Sequence, residues 1–131
     1  MTPEGEYVVA EGARVWFIPD GYIPERSTGS LESHEAICVL NATTAPATVS
    51  ITFYFEDRPP IRDITVTVEA ERTRHIRTDI SKDLGGAAVP KGTPYAVRVA
   101  SDVPICVQHS RLDSSQDGLA LMTSMAFPLI G

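Results

Sequence analysis

The chain has little of what the simplest function classes need. Its 131 residues contain two cysteines, one tryptophan and only 7% aromatic residues. Two cysteines, Cys38 and Cys106, cannot build a disulfide scaffold, and each lies inside an apolar run that reads as a strand. Buried free thiols are the expectation for such a pair in a small intracellular domain. Lysine is nearly absent: Lys82 and Lys91 stand beside nine arginines. With 17 acidic residues against 11 basic ones, the formal net charge is −6, which argues against a nucleic-acid binder dependent on many phosphate contacts. No long hydrophobic run occurs. The stretch Leu119–Ile130 is interrupted by Thr123, Ser124 and Pro128 and is too short to cross a bilayer. Met1–Glu11 lacks the basic and apolar regions of a signal peptide, so a soluble cytoplasmic protein without membrane insertion is expected.

What is present is punctuation and alternation. Ten prolines and nine glycines break the chain into short segments, and no stretch carries an apolar stripe of helical period. Val49, Ile51, Phe53 and Phe55 alternate with polar residues across Thr48–Phe55, and Ile64, Val66 and Val68 do the same across Asp63–Glu69. Alternation of period two buries one face of a strand, and the Pro-rich link Glu56–Pro60 makes the pair a β-hairpin. Further strands are read at Arg14–Ile18, Ala36–Asn41, Arg72–Arg77, Pro94–Ala100, Ile105–Arg111 and Gly118–Phe127. Ala36–Asn41 is almost continuously apolar, as expected of a strand covered on both faces. Pro19-Asp20-Gly21 reads as a turn, Pro19–Ser33 as a long irregular loop, and Thr78–Leu84 and Ser114–Asp117 as short helical turns. About eight short strands at this length predict an all-β fold, a single-domain β-sandwich or jelly-roll. Residues 1–12 are expected to be a flexible extension.

Chemistry-bearing residues are few. His109, Arg111 and Asp113 project from one strand face in line with Ile105 and Val107, so an apolar face ends in groups of both signs. Two readings stand side by side: a structural Arg–Asp pair closing the end of the barrel, or the wall of a polar pocket. A zinc site would need His34, His75 and His109 to converge, and none lies in a ligand-spacing motif, so no metal and no cofactor are assigned. Ser33-His34-Glu35 has the residue types of a relay, but neighbours on a strand face opposite ways, and no catalytic residue is assigned. A metal- or His/Glu-assisted hydrolase or isomerase built on His34, Glu35 and His109 is the enzymatic alternative. Arg72, Arg74 and Arg77 with His75 form the one basic cluster, and alternation splits it between two faces. Asn41-Ala42-Thr43 matches a glycosylation sequon without a secretion signal. Trp16 is core by default, with sugar stacking as its use if it lines a pocket.

Six ordered segments resemble the family of the Anabaena sensory rhodopsin transducer. They are Trp16-Phe17-Ile18-Pro19-Asp20-Gly21-Tyr22-Ile23-Pro24, Ser33-His34-Glu35 running into Cys38–Ala42, Phe53–Asp57, Arg72–Arg77, Pro94–Ala96 and Val107–Ser114. The resemblance runs from Arg14 to Phe127 and implies an all-β sandwich assembling as a homotetramer. It also implies one of two functions: a small-molecule-binding or sensing domain, with a sugar or related metabolite as ligand, or a signal transducer docking on a membrane photoreceptor or other signalling partner. Residue by residue it marks Trp16, His34, Glu35, Asn41, His75, His109, Arg111 and Asp113 as ligand-binding positions. Ligand binding ranks first, because the sequence shows no exposed apolar or strongly basic tail for docking, whereas its alternation offers a polar pocket.

Overall fold

The computed structural model describes residues 10–130; the expected flexible extension falls largely outside the described residues. Eight strands follow one another: β1 (Ala13–Gly21), β2 (His34–Asn41), β3 (Ala47–Phe55), β4 (Ile61–Val68), β5 (Arg72–Arg77), β6 (Tyr95–Asp113), β7 (Ala120–Met125) and β8 (Phe127–Pro128). Among the described residues the single helical element is a 3-10 turn over Ser81–Leu84, inside the predicted Thr78–Leu84. The all-β sandwich-like architecture expected from the alternation is what forms.

One strand organises the fold. The first half of β6 lies between β3 and β1, giving the order β4-β3-β6-β1-β8, while its second half pairs with β2 and β7, and β5 adds to β2. All pairings are antiparallel. The sequence suggests two strands here, Pro94–Ala100 and Ile105–Arg111; they are one 19-residue strand. Ser101–Pro104 reads as a break because it contains Asp and Pro, but it is a corner at which the strand leaves one half for the other. Pro104 has no N–H to contribute to a ladder and sits where neither half needs one. Two devices fix that corner. The Trp16 indole Nε1 donates to Ala13 O at 2.9 Å and to Ile105 O at 3.0 Å. Gly12, at φ +120°, lies where a Cβ would come within 2.3 Å of Ile105 O.

The apolar residues of both halves meet in one core: Val49, Ile51, Phe53, Ile64 and Val66 face Ile37, Val39, Ile76 and Val107. The β3–β4 hairpin has the register the alternation demands, with Val49 opposite Val66 and Ile51 opposite Ile64. Three other expectations are corrected. Pro19–Gly21 continues β1, with an irregularity in its pairing between Ile18 and Gly21, instead of turning. Ala36–Asn41 is not covered on both faces: Glu35, Ile37, Val39 and Asn41 are buried, but Cys38 is half-buried and Leu40 exposed. Ser114–Asp117 has no helical turn. Cys38 and Cys106 are free thiols on that half-covered outer face, less buried than their apolar contexts suggest.

Gly21 is required for a different reason, the close approach of an aromatic ring. A Cβ there would lie 2.5 Å from Tyr95 Cζ. Gly21→Ala is therefore expected to lower stability by about 1–3 kcal/mol through overpacking, read as a fall in urea midpoint. A variant as stable as the parent would show that the ring has room to move.

Candidate functional site

The β2–β6 ladder places Ile37 opposite His109 and Glu35 opposite Arg111. Alternation then turns Glu35, His109 and Arg111 inward, to the end of the core where apolar residues give way to polar ones. Glu35 is fully buried. Its Oε1 accepts from the Tyr95 hydroxyl and, at 3.1 Å, from His109 Nε2; its Oε2 accepts from Arg111 Nε at 2.5 Å and from the Tyr22 backbone N–H at 3.1 Å. Four donors, three side chains of β6 and the backbone N–H that follows β1, fill the lone-pair sites of one carboxylate. Burial alone pushes its proton affinity up, but the hydrogen bonds from His109, Tyr95 and the Tyr22 N–H, with the His109 charge, outweigh burial and hold Glu35 below the ordinary carboxylate value. Burial and the neighbouring carboxylate push the Tyr95 hydroxyl far up, so it stays protonated and donates, while accepting from Thr78 Oγ1 at 3.0 Å.

An ionised carboxylate only accepts, so His109 Nε2 carries its proton toward Glu35 and Nδ1 is left without a partner among the described residues. Arg111 uses Nε on Glu35, and its terminal nitrogens likewise have no partner among the described residues. Both side chains reach the floor of a cleft of about 620 Å3 between β1 and β7. Phe17, Met122, Met125 and Phe127 supply apolar walls, and Asp20, Thr123 and Ser124 add polar edges. The cleft lies where the alternation puts His109 and Arg111, and its apolar walls come from β1, β7 and β8.

The other marked residues stand elsewhere. His34 and Glu35 do face opposite ways; His34 Nδ1 lies 2.9 Å from Glu32 O on the outer side. The His34/Glu35/His109 constellation therefore does not form, although Glu35 and His109 do meet. His75 lies opposite Cys38 on β5, next to buried Ile76, and points outward. Among the described residues no group of three or more His, Cys, Asp or Glu side chains is placed to hold a metal. Asp113 does not pair with Arg111 by a direct hydrogen bond; it accepts from Ser115 Oγ at 2.6 Å and Ser115 N at 2.9 Å, which hold it below its ordinary value. Neither a barrel-closing Arg–Asp pair nor Asp113 in the cleft results. Trp16 is 5% exposed and belongs to the β6 corner; the aromatic residues in the cleft are its neighbour Phe17 and Phe127.

Asn41 is wholly buried: Nδ2 donates to Ala45 O, Val68 O and Glu69 O, and Oδ1 accepts from Thr43 N and Thr43 Oγ1. The sequon asparagine thus ties the β2–β3 connection to the end of β4. The basic cluster also disperses. Arg74 donates to Thr67 O, Arg72 to Glu71 O, and Arg77 pairs with both oxygens of Asp79.

One expectation about the surface is overturned. Exposed apolar residues are concentrated at the end of the described chain: Leu121, Met122, Met125, Phe127, Leu129 and Ile130 are each more than half exposed. The sequence reading found no such tail because Leu119–Ile130 resembles an ordinary terminal strand. Its exposure follows from topology. Among the described residues β7 pairs only with β6, and β8 only with β1, so both are edges there.

Comparison with known proteins agrees with the sequence resemblance. The family model described as Anabaena sensory rhodopsin transducer matches residues 11–128. No curated protein matches the chain. Among solved structures, the crystal structure of Thermotoga maritima 1070 is 38% identical, with a TM-score of 0.79, covering 91% of this chain and 97% of that one. The structure titled Anabaena sensory rhodopsin transducer is 42% identical with a TM-score of 0.69, covering 81% of this chain and 93% of the other.

Proposed function

This chain belongs to the Anabaena sensory rhodopsin transducer family, and from that premise we propose that it is a non-enzymatic sensing domain that binds a small polar ligand in the β1–β7 cleft. The observation that carries this is the pairing of unpartnered polar edges with apolar walls. Arg111 and His109 present hydrogen-bonding groups to a cavity of about 620 Å3, and Glu35 fixes both from behind. Rigidly held polar groups on an apolar floor favour ligand binding, because little ordering remains to be done when the ligand arrives. A sugar or related metabolite suits such a site: its hydroxyls meet His109 Nδ1 and Arg111, and its ring packs on Phe17 or Phe127. We assign no catalytic step: Thr123 and Ser124 line the cleft, but neither hydroxyl hydrogen-bonds His109 among the described residues.

Thermal shift with a panel of sugars and small acids tests this reading. A ligand at a hundred times its dissociation constant adds about 2.7 kcal/mol of stability, easily seen as a raised Tm. Met122→Trp, which fills the cleft without touching Glu35, is expected to abolish the response, and Asp113→Ala to keep it. No shift with any compound, or an unchanged shift in Met122→Trp, would remove the reading.

A second role follows from the family, whose described member is a transducer. In this reading the chain, acting in the cytoplasm, passes its state to a signalling partner such as a photoreceptor. The exposed ribbon of β7 and β8 we assign to another copy of this chain. The two adjoining edges, unpaired on their outer sides among the described residues, carry exposed apolar side chains, the surface through which the implied tetramer would assemble. The cleft then lies at a boundary between subunits.

A further inference from the structure

Glu35 contacts more than the cleft. Its Oε2 is shared between Arg111, on the cleft floor, and the backbone N–H of Tyr22, the first residue after β1. Tyr22 opens the irregular segment Tyr22–Ser33, whose far end is anchored to Ser114, the residue that follows the strand carrying Arg111. Ser33 Oγ accepts from Ser114 N at 2.9 Å and lies 3.2 Å from Ser114 Oγ; Ser114 Oγ donates to Leu31 O, and Thr28 N donates to Ser114 O. Between these anchors the segment is held by Ile23, fully buried, whose carbonyl accepts from Gly92 N at 2.7 Å. One end of this surface segment therefore hangs on Glu35 of β2, which also holds the cleft donor Arg111, and the other on Ser114, just past the end of β6.

We infer that Glu35 is a positioning residue that couples the cleft to the Tyr22–Ser33 segment, so that whatever moves Arg111 or His109 changes how firmly that segment is held. The physical reason is that Glu35 has no solvent to turn to. When a donor in the cleft is drawn away, the carboxylate must rotate or redistribute its remaining bonds, and the Tyr22 N–H is one of them. Such coupling is reciprocal: what loosens the segment also alters the cleft. It makes the outer surface of Tyr22–Ser33, including exposed Tyr22 and Leu31, the part of the molecule that changes with the cleft. This inference rests on the proposed binding reading only for what occupies the cleft.

Hydrogen exchange on the full chain tests it without any ligand. Arg111→Lys and His109→Gln alter the cleft donors while keeping polar side chains there, and Val68→Ala, a buried β4 residue at the Asn41 end of β2, serves as the core control. In both cleft variants the amides from Tyr22 to Ser33 are expected to exchange about tenfold faster relative to those of β3, whereas in Val68→Ala this ratio does not rise above the parent value. An unchanged ratio in both cleft variants, or an equal change in the control, would overturn the coupling. Because no ligand enters, such a failure leaves the thermal-shift result intact, and a negative ligand screen leaves the exchange result intact.

Discussion

Glu35→Ala is expected to cost about 3–5 kcal/mol at pH 7, enough to unfold much of a typical domain of this size. The loss comes less from the missing attraction than from what stays behind. Arg111 keeps a charge whose nearest counter-ion has gone, and Tyr95, His109 and the Tyr22 N–H lose their acceptor inside the protein. Glu35→Gln retains the shape and one acceptor oxygen, so a smaller loss of about 1–3 kcal/mol is expected. Urea denaturation measures both, and an alanine variant within 1 kcal/mol of the parent would show that the network rearranges around the gap.

The pH dependence follows from the same carboxylate. In the folded chain Glu35 sits below its ordinary value, so folding favours its ionised form. That contribution is complete above the unfolded value of about 4.3 and disappears as pH falls through the lower, folded one. The gap between parent and Glu35→Gln should therefore be constant from pH 7 to 5 and narrow below about pH 4. Asp79 adds to the acid limb in both proteins: burial raises it, but its two bonds to Arg77 hold it low. A gap that widens on acidification would contradict the assignment of Glu35 as the ionised partner.

Light scattering should report an assembly of several copies of the 14.2 kDa chain at micromolar concentration, and Met125→Glu with Phe127→Glu should reduce it to single chains. Both side chains are more than half exposed in the isolated chain, so the charges cost its fold little. At an interface the same charges would be desolvated without partners, at several kcal/mol each. A parent that runs as a single chain, or a double variant that still assembles, would take the ribbon out of the interface.

Much of the scaffold was legible because strand burial is written locally. The period-two pattern of Thr48–Phe55 and Asp63–Glu69 identifies a hairpin before any partner is known, and the same pattern puts His109 and Arg111 on the core face. The polar punctuation of Ser101–Pro104 misled because a corner within one strand and a turn between two use the same residues. Trp16 and Asn41 lie within family-like blocks, yet they hold backbone together: the indole at the β6 corner, the carboxamide at the end of β4. A motif records that a residue matters without saying whether it holds a ligand or a carbonyl.

By itself, the sequence determined the all-β class, the hairpin register and the inward face of the strand bearing His109 and Arg111. These depend on alternation between neighbours in the chain. Only the tertiary structure decided that Glu35 would face that strand, since the two residues it joins in the cleft lie 74 and 76 positions away. Nothing local distinguishes a carboxylate at a solvated strand end from one enclosed by four donors; the difference is made by which strands pair. The same holds for the exposed ribbon, because a strand becomes an edge through the absence of a neighbour, and the pairing that leaves β7 and β8 uncovered is a property of the whole sheet.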